Sequence, residues 1–502
     1  VPAMTLSALR DDALRSTDDG FVLLLGLPWI RSLPIASLAG LALSIDGHQV
    51  QPLLVECGGR RVAPTALPDQ TGWWFLQDRL ALRGPADLAP GAHEVEVSFC
   101  LVIPYLQTRP DGPLTLPFQI GRSLTLDAAT PVRAAVTLQE RVATETAHDH
   151  DPLPANWTLA ASAFNWTPEV IRAERAAHDI ALGIVADGVA SVIELEPGQL
   201  WRSFPTASDT DADALRAGLD AVGASVSIVG ASLDDWFSPT QRRTDAERLA
   251  FLLPQLRAAQ RVGAVGVRLP IGQAGEPLLR RLLPLLHDLD LVLFEEIQGQ
   301  QTPDSTAARD AIEAIAAVDD PHLRLLLDIS MLMPSLPPSY LALLRAGGVP
   351  ETLLQRLATD WRDPATNGAV IDVLRSGGVP ARVHTAFMNL LVRFGRSDAA
   401  DLRDILPLVG AVHLKFWDLE DADARVSRPI SELATELAAT GFAGTLCSEW
   451  GGHEWLDDDA ADMTRRHLRL ARSALRAGAG VHARTKESSR EQEQPWTMSS
   501  TS

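Results

Sequence analysis

From residue 155 onward, short apolar runs alternate with amphipathic segments, and this rhythm constrains the fold more than any other feature. The runs read "LAASAFNW", "VIELE", "SVSIVGA", "VGVRLPI", "LVLFEEI", "LRLLLDIS", "AVHLKFW" and "GTLCSEW". Between them lie segments such as "DADALRAGLDAVG" and "GEPLLRRLLPLLHDLD", and "DDAADMTRRHLRLARSALRAG" follows the last. Near-continuous apolar strands separated by helices imply a parallel sheet covered on both faces. Eight such units predict a closed (β/α)8 barrel, a TIM barrel, over 155–482. A doubly wound open sheet is the alternative, but no glycine-rich nucleotide turn follows the first strand. The stretch 332–408 is too long for one connection and reads as a helical insertion after strand six.

Residues 1–140 have a different pattern. "FVLLLGLPW", "LALSIDGHQVQPLLVE" and "HEVEVSFCLVIPYL" are short alternating runs punctuated by turns such as Asp46-Gly47. Val95, Val97, Phe99 and Leu101 fall on one face. An antiparallel all-β, sandwich-like domain is expected. A polar linker at 141–154 joins the two parts, and "ETAHDHD" within it reads as solvated chain rather than a metal site. Residues 483–502 are poor in apolar residues and are expected to be a disordered tail.

The bulk properties exclude several functions. The net charge of -20 argues against nucleic acid as a partner. No uninterrupted apolar stretch is long enough for a membrane span. The opening "VPAMTLSALRDD" shows no basic start followed by an apolar stretch, so no secretory leader is expected. Cys57, Cys100 and Cys447 have neither disulfide nor zinc spacing, and a cytoplasmic setting is expected.

Four successive strands end in ligand-type residues. Strand five offers Glu295 and Glu296, strand six Asp328, strand seven His413 and strand eight Glu449. The C-terminal strand ends of a barrel converge on one mouth. Three carboxylates crowd together there only around a cation. Oxygen-rich ligation with one imidazole suits Mn²⁺ best, with Mg²⁺, Co²⁺, Fe²⁺ or Zn²⁺ also compatible. Periodicity alone leaves Glu295 and Glu296 open. Of two lysines, Lys415 is the one inside the folded body, on the same face of strand seven as His413. A substrate-oxygen contact is expected for it, against a salt bridge to Asp418 or Glu420. Arg268 ends strand four and is read either as a sugar-hydroxyl grip or as a partner of a barrel carboxylate. Asn165, at the end of strand one, and Glu194 or Glu196, after strand two, are weaker pocket candidates. Trp450 offers a flat face to a sugar or an aromatic group. His384, in the insertion, is read as a packing or solvent residue.

These motifs carry a resemblance. The second half resembles the sugar phosphate isomerase/epimerase family of xylose-isomerase-like barrels, whose Glu–Asp–His–Glu metal set falls on Glu296, Asp328, His413 and Glu449. "EEIQG", "LLLDIS", "VHLKFW" and "LCSEWGGHEW" look like the catalytic subunit of C-glycoside deglycosidases. "GLPWIRSLPIASLAGLALSIDG", "GWWFLQD" and "GAHEVEVSFCLVIPYL" resemble the β subunit of the same enzymes, so the chain looks like a fusion with the β-type part first.

The resemblance implies a metal-dependent lyase acting on a 3-oxo-glycoside, made by a separate oxidoreductase. C2 proton removal is followed by loss of the C1 substituent. The position two residues after the strand-five glutamate, often a histidine in the family, is Gln298 here. Gln298 is read as a substrate contact, and the base falls to Glu449, Glu296, His453 or another group. Lys415 would donate to a developing oxyanion. A sugar isomerase or epimerase is the second reading, and a non-catalytic carbohydrate-binding protein the third. A homo-oligomer is compatible with all three.

Overall fold

The computed structural model describes residues 8–109, 112–129, 153–238 and 240–492. Residues 14–125 form two main antiparallel sheets and a short two-stranded one, Leu33–Pro34 with Trp73–Trp74. One main sheet has five strands, in the order Leu14–Thr17, Gly20–Gly26, Arg79–Gly84, Leu54–Cys57 and Arg60–Val62. The other main sheet has four: Gly112–Thr125, Ala92–Arg109, Leu38–Ile45 and His48–Gln49. Val95, Val97, Phe99 and Leu101 are all buried, as their alternation predicts. The hairpin at Asp46-Gly47 has positive φ at both turn residues (50° and 77°), the mirror-image turn that matches strand twist.

The second part is a closed barrel of eight parallel strands. They are Trp157–Ser162, Val192–Leu195, Ser225–Gly230, Gly266–Pro270, Val292–Ile297, Leu323–Asp328, Val409–Phe416 and Gly444–Trp450. Strand eight pairs back onto strand one from Trp157↔Gly444 to Ala161↔Ser448. Between strands six and seven lie four helices, Pro338–Ala346, Glu351–Thr359, Pro364–Arg375 and His384–Val392. They enclose a separate apolar core that includes Tyr340, Leu354, Phe387 and Phe394. Such a core requires several helices packed together, which explains the length of this connection.

Two expectations change. The last helix, Ala460–Gln492, continues into the stretch read as a disordered tail. Residues 493–502, and 141–152 of the expected linker, lie outside the described residues. Strand one stops at Ser162, and Ala163–Trp166 folds into a 3-10 turn capped by the Ser162 side chain. The whole of "LAASAFNW" is therefore not strand.

The sandwich docks against loops on the mouth side of the barrel. Ser32 donates to the Gly198 carbonyl from both N (2.8 Å) and Oγ (2.6 Å), and Gln199 Nε2 donates to Ile30 O (2.7 Å). Arg31 reaches the wholly buried Asp234 (2.5 Å) and lies over the Tyr105 ring. Gly198 follows strand two and Asp234 follows strand three, so the docking surface holds two of the loops that border the mouth. No helix among the described residues is long and apolar enough to cross a membrane.

Candidate metal centre and active site

The site is built one layer above an apolar plug. Ile228, Phe294, Leu326 and Ala411 fill the barrel interior as a small buried cluster. Side chains two residues further along a strand share its face. That step leads from Phe294 to Glu296, from Leu326 to Asp328 and from Ala411 to His413. Strand eight aligns Glu449 with Lys415, two residues beyond His413. The choice between Glu295 and Glu296 is thereby made. Glu296 enters the barrel, while Glu295 lies on the opposite face, accepts a bond from Gly272 N (2.9 Å), and is pushed up to about 7 by burial.

Glu296, Asp328, His413 and Glu449 each offer a ligand atom, all within 4.8 Å of one another, and all four are buried. His413 Nδ1 lies 2.9 Å from Glu296 Oε1 and 2.7 Å from Glu449 Oε2. The second is an ion-pair contact. Asp328 Oδ2 is buried without a hydrogen-bond partner, and the buried Glu449 Oε2 has only this contact with His413. Bare carboxylate oxygens in a dry site are costly unless a cation meets them. The donor set, three carboxylates and one imidazole around one point, fits a divalent ion.

Other charges surround the cluster. Glu194 Oε2 sits 3.0 Å from His413 Nε2, which leaves Nδ1 turned toward the cluster. Such an outer carboxylate sets the orientation and tautomer of a ligating histidine. Lys415 Nζ donates to Glu449 Oε1 (2.7 Å). Burial alone would raise the Glu449 carboxyl, but Lys415 and His413 hold it well below the usual carboxylate range. Burial pushes Asp328 up to about 6, with Lys415 opposing and Glu449 and Glu296 adding to the rise. Burial opposes charge on His413, yet Glu194, Glu449 and Glu296 together hold its pKa well above the ordinary value.

Several expected site residues take other places. Arg268 does not reach out to grip a hydroxyl. Its Nε pairs with Glu194 (2.6 Å), Nη1 with Glu296 (3.1 Å) and Nη2 with Glu196. It is an ion-pair hub, because three carboxylates surround it. Asn165 is not in the pocket. The 3-10 turn swings it outward, where Nδ2 donates to Ser448 O (3.2 Å) and Thr464 Oγ1 (3.0 Å) and Oδ1 accepts from Trp450 N (2.7 Å). Trp450 presents no face to a ligand. It follows Glu449 and so points away from the barrel interior, fully buried, with Nε1 on Trp417 O (2.9 Å).

His453 lies near the cluster but is sealed between the Phe164 and Trp450 rings. Burial lowers its pKa to about 4, so the ring is neutral, and Nε2 has no partner. Gln298 is exposed just beyond strand five. Lys415 pairs with Glu449, while Asp418, one of its expected alternatives, accepts from Ser339 Oγ (2.6 Å).

The direct hold of Glu194 on His413 had not been anticipated. The signal was present in strand two, where Ser162↔Glu194 places this carboxylate beside strand one at the inward layer.

No family model matches the chain. The C-glycoside deglycosidase alpha subunit of Arthrobacter globiformis is 29% identical over 300 residues, covering 58% of this chain and 85% of that protein. The 3'-dehydrocarminate deglycosidase beta subunit of a Microbacterium species is 30% identical over 99 residues, 19% of this chain and 75% of that protein. Among solved structures, a xylose isomerase domain protein from Planctomyces limnophilus aligns with a TM-score of 0.37 at 16% identity, over 66% of this chain and 100% of that one. With relatives of both the alpha and the beta kind matched by one polypeptide, the chain belongs to the C-glycoside deglycosidase family, as a fusion of its two subunits.

Proposed function

We propose that the protein is a divalent-metal-dependent lyase that cleaves the C- or O-glycosidic bond of a 3-oxo-glycoside. The observation that carries this reading is the convergence of Glu296, Asp328, His413 and Glu449 within 4.8 Å, with Asp328 Oδ2 left without a partner. The family supports glycoside cleavage, and the names of two relatives specify a 3'-dehydro compound.

The four residues would hold the cation, Mn²⁺ before Mg²⁺, Co²⁺, Fe²⁺ or Zn²⁺. A bound divalent ion supplies Lewis acidity toward the oxygens of the sugar. The C3 ketone acidifies the C2 proton. A carboxylate of the cluster, Glu449 or Glu296, takes that proton, and Lys415 holds Glu449 through Oε1. The C1–aglycone bond then breaks, its electron pair leaves with the aglycone, and a C1=C2 double bond forms. Lys415 also donates from Nζ toward the C3 oxygen as it gains charge. Arg268 fixes Glu296 and Glu194, so the cluster is rigid before substrate arrives. His453 is too enclosed to serve as the base. The 3-oxo group requires a separate oxidoreductase upstream.

The test is to incubate Mn²⁺-loaded protein with 3-oxo C- and O-glucosides and follow aglycone release by chromatography. Release from either substrate, lost on chelation, is expected. No release from both, with interconversion of free ketoses instead, would establish the isomerase reading in its place.

A further inference from the structure

The helical insertion delivers a cation to the mouth. Its last helix ends at Val392, and the segment that follows is tied to the loops after strands five and six. Val392 O accepts from Gln300 N (3.0 Å), Gly395 N donates to Ser330 O (2.7 Å), and Ser397 N donates to Met331 O (3.0 Å). Two glycines make the approach possible. A Cβ on Gly299, which has φ of 61°, would strike the Val392 carbonyl, and a Cβ on Gly395 would strike the carbonyls of Gly299 and Met331. Ser330 Oγ accepts from Gly299 N (2.9 Å), and Ser330 N donates to Asp328 Oδ1 (2.8 Å). The segment that carries Arg393 is therefore connected to a candidate metal ligand by two steps of hydrogen bonding.

From this position Arg393 spans toward the loop after strand eight. Nη1 pairs with Glu454 Oε1, one residue past His453. Among the described residues, Glu454 is the one hydrogen-bonding partner of the Arg393 side chain, which keeps about a third of its surface open (36%). Of the other cations of the site, Arg268 is held by three carboxylates, His413 by Glu194, Glu296 and Glu449, and Lys415, paired with Glu449, is the donor assigned above to the C3 oxygen. Arg393 lies near enough to Glu449 and Lys415 for their charges to act on each other. Val392, immediately before it, exposes its apolar side chain.

We infer that Arg393, steadied by Glu454, forms the aglycone subsite, and that its guanidinium receives the aryl oxyanion released in the elimination. This inference rests on the lyase reading above. That reaction builds negative charge at two places, the C3 oxygen and the departing group. Lys415 serves the first, and Arg393 is the cation with donors left for the second. For an aryl O-glycoside, the C2–H proton goes to the cluster carboxylate, C1=C2 forms, and C1–O breaks with its electron pair on the phenolate oxygen. Two guanidinium N–H groups pair with that oxygen until it takes a proton from water.

The experiment uses the full chain and a series of 3-oxo aryl O-glucosides running from nitrophenyl to unsubstituted phenyl. Arg393→Met is expected to lower kcat/KM for the phenyl substrate by about 30-fold or more, and to change the nitrophenyl rate little, because a good leaving group needs little help. Arg393→Lys should recover part of the loss, with unchanged Tm and metal stoichiometry. Equal losses across the series, or none, would overturn the assignment. A binding readout separates this inference from the lyase reading: 4-nitrophenolate should bind the wild type and bind Arg393→Met at least about tenfold more weakly. If the wild type releases no aglycone but binds nitrophenolate through Arg393, the reaction fails and the subsite stands. Equal nitrophenolate binding by the two proteins would overturn the subsite.

Discussion

Lys415 Nζ and Glu449 Oε1 lie 2.7 Å apart on adjacent barrel strands, at positions that pair in register. One carboxylate thus faces a lysine on one side and the ligand cluster on the other. Replacing Lys415 with Met should lower kcat by about 10²–10³-fold, with a smaller change in metal affinity. Lys415→Arg should restore only part, because a planar fork does not reproduce a point charge. Glu449→Gln should abolish aglycone release and weaken metal binding together. Steady-state kinetics and calorimetry check both, and full activity in Glu449→Gln would refute the site.

Asp328 would link metal binding to pH. Its folded pKa, about 6, lies above the ordinary 3.8, so the metal-free fold binds more protons than the unfolded chain between those values. Its favourable contribution is complete below about pH 4 and is lost as pH rises through about 6. Chelated protein should therefore lose stability over that interval, and Asp328→Asn should remove much of the loss. Metal at a hundred times its Kd should stabilise the wild type by about 2.7 kcal/mol, and Asp328→Asn far less. Thermal melts with and without chelator at pH 4.5 and 7 measure both effects.

Glu194 holds His413 through Nε2 at 3.0 Å. Glu194→Gln should weaken metal binding by about 10–100-fold, since the histidine loses the partner that sets its tautomer. Metal titration of the variant at fixed pH tests this, and unchanged affinity would show that Arg268 and Glu296 suffice to orient the ring.

His467 is fully buried behind strand eight, stacked on Phe416 at 3.9 Å, with Nδ1 2.8 Å from Ser448 Oγ. Burial lowers its pKa to about 3. The unfolded chain takes up this proton near pH 6.5 and the folded one does not, so stability falls as pH drops from about 6.5 toward 3. The slope from this residue approaches about 1.4 kcal/mol per pH unit. Denaturation midpoints followed by tryptophan fluorescence should fall less steeply with acid in His467→Phe than in the wild type.

The convergence of the four residues could be read from the chain because a barrel converts sequence order into space. Four consecutive strands end at one mouth, so Glu296, Asp328, His413 and Glu449 needed only their strands to be recognised. The misplaced residues failed for local reasons. Trp450 follows an inward Glu449, and strict alternation places it outside. Asn165 depended on strand one continuing past Ser162, but the chain turned there. Arg268 was undecided in the sequence, because the choice between substrate and carboxylates depends on how closely Glu194, Glu196 and Glu296 approach it. Arg393 carried no sequence signal. Its importance comes from the backbone contacts of Gly299 and Gly395, which join segments almost a hundred residues apart.

The sandwich grips the loops after strands two and three through Ser32, Gln199 and the Arg31–Asp234 pair. The relatives matched by the two parts are named as separate alpha and beta subunits, and two separate chains meet by diffusion. Here the encounter is intramolecular, at an effective concentration set by the tether and not by expression level. Specific activity should consequently hold constant on dilution over ranges where a two-chain enzyme would come apart. Loss of one partner gene, or unequal synthesis of the two, is a failure this arrangement does not have.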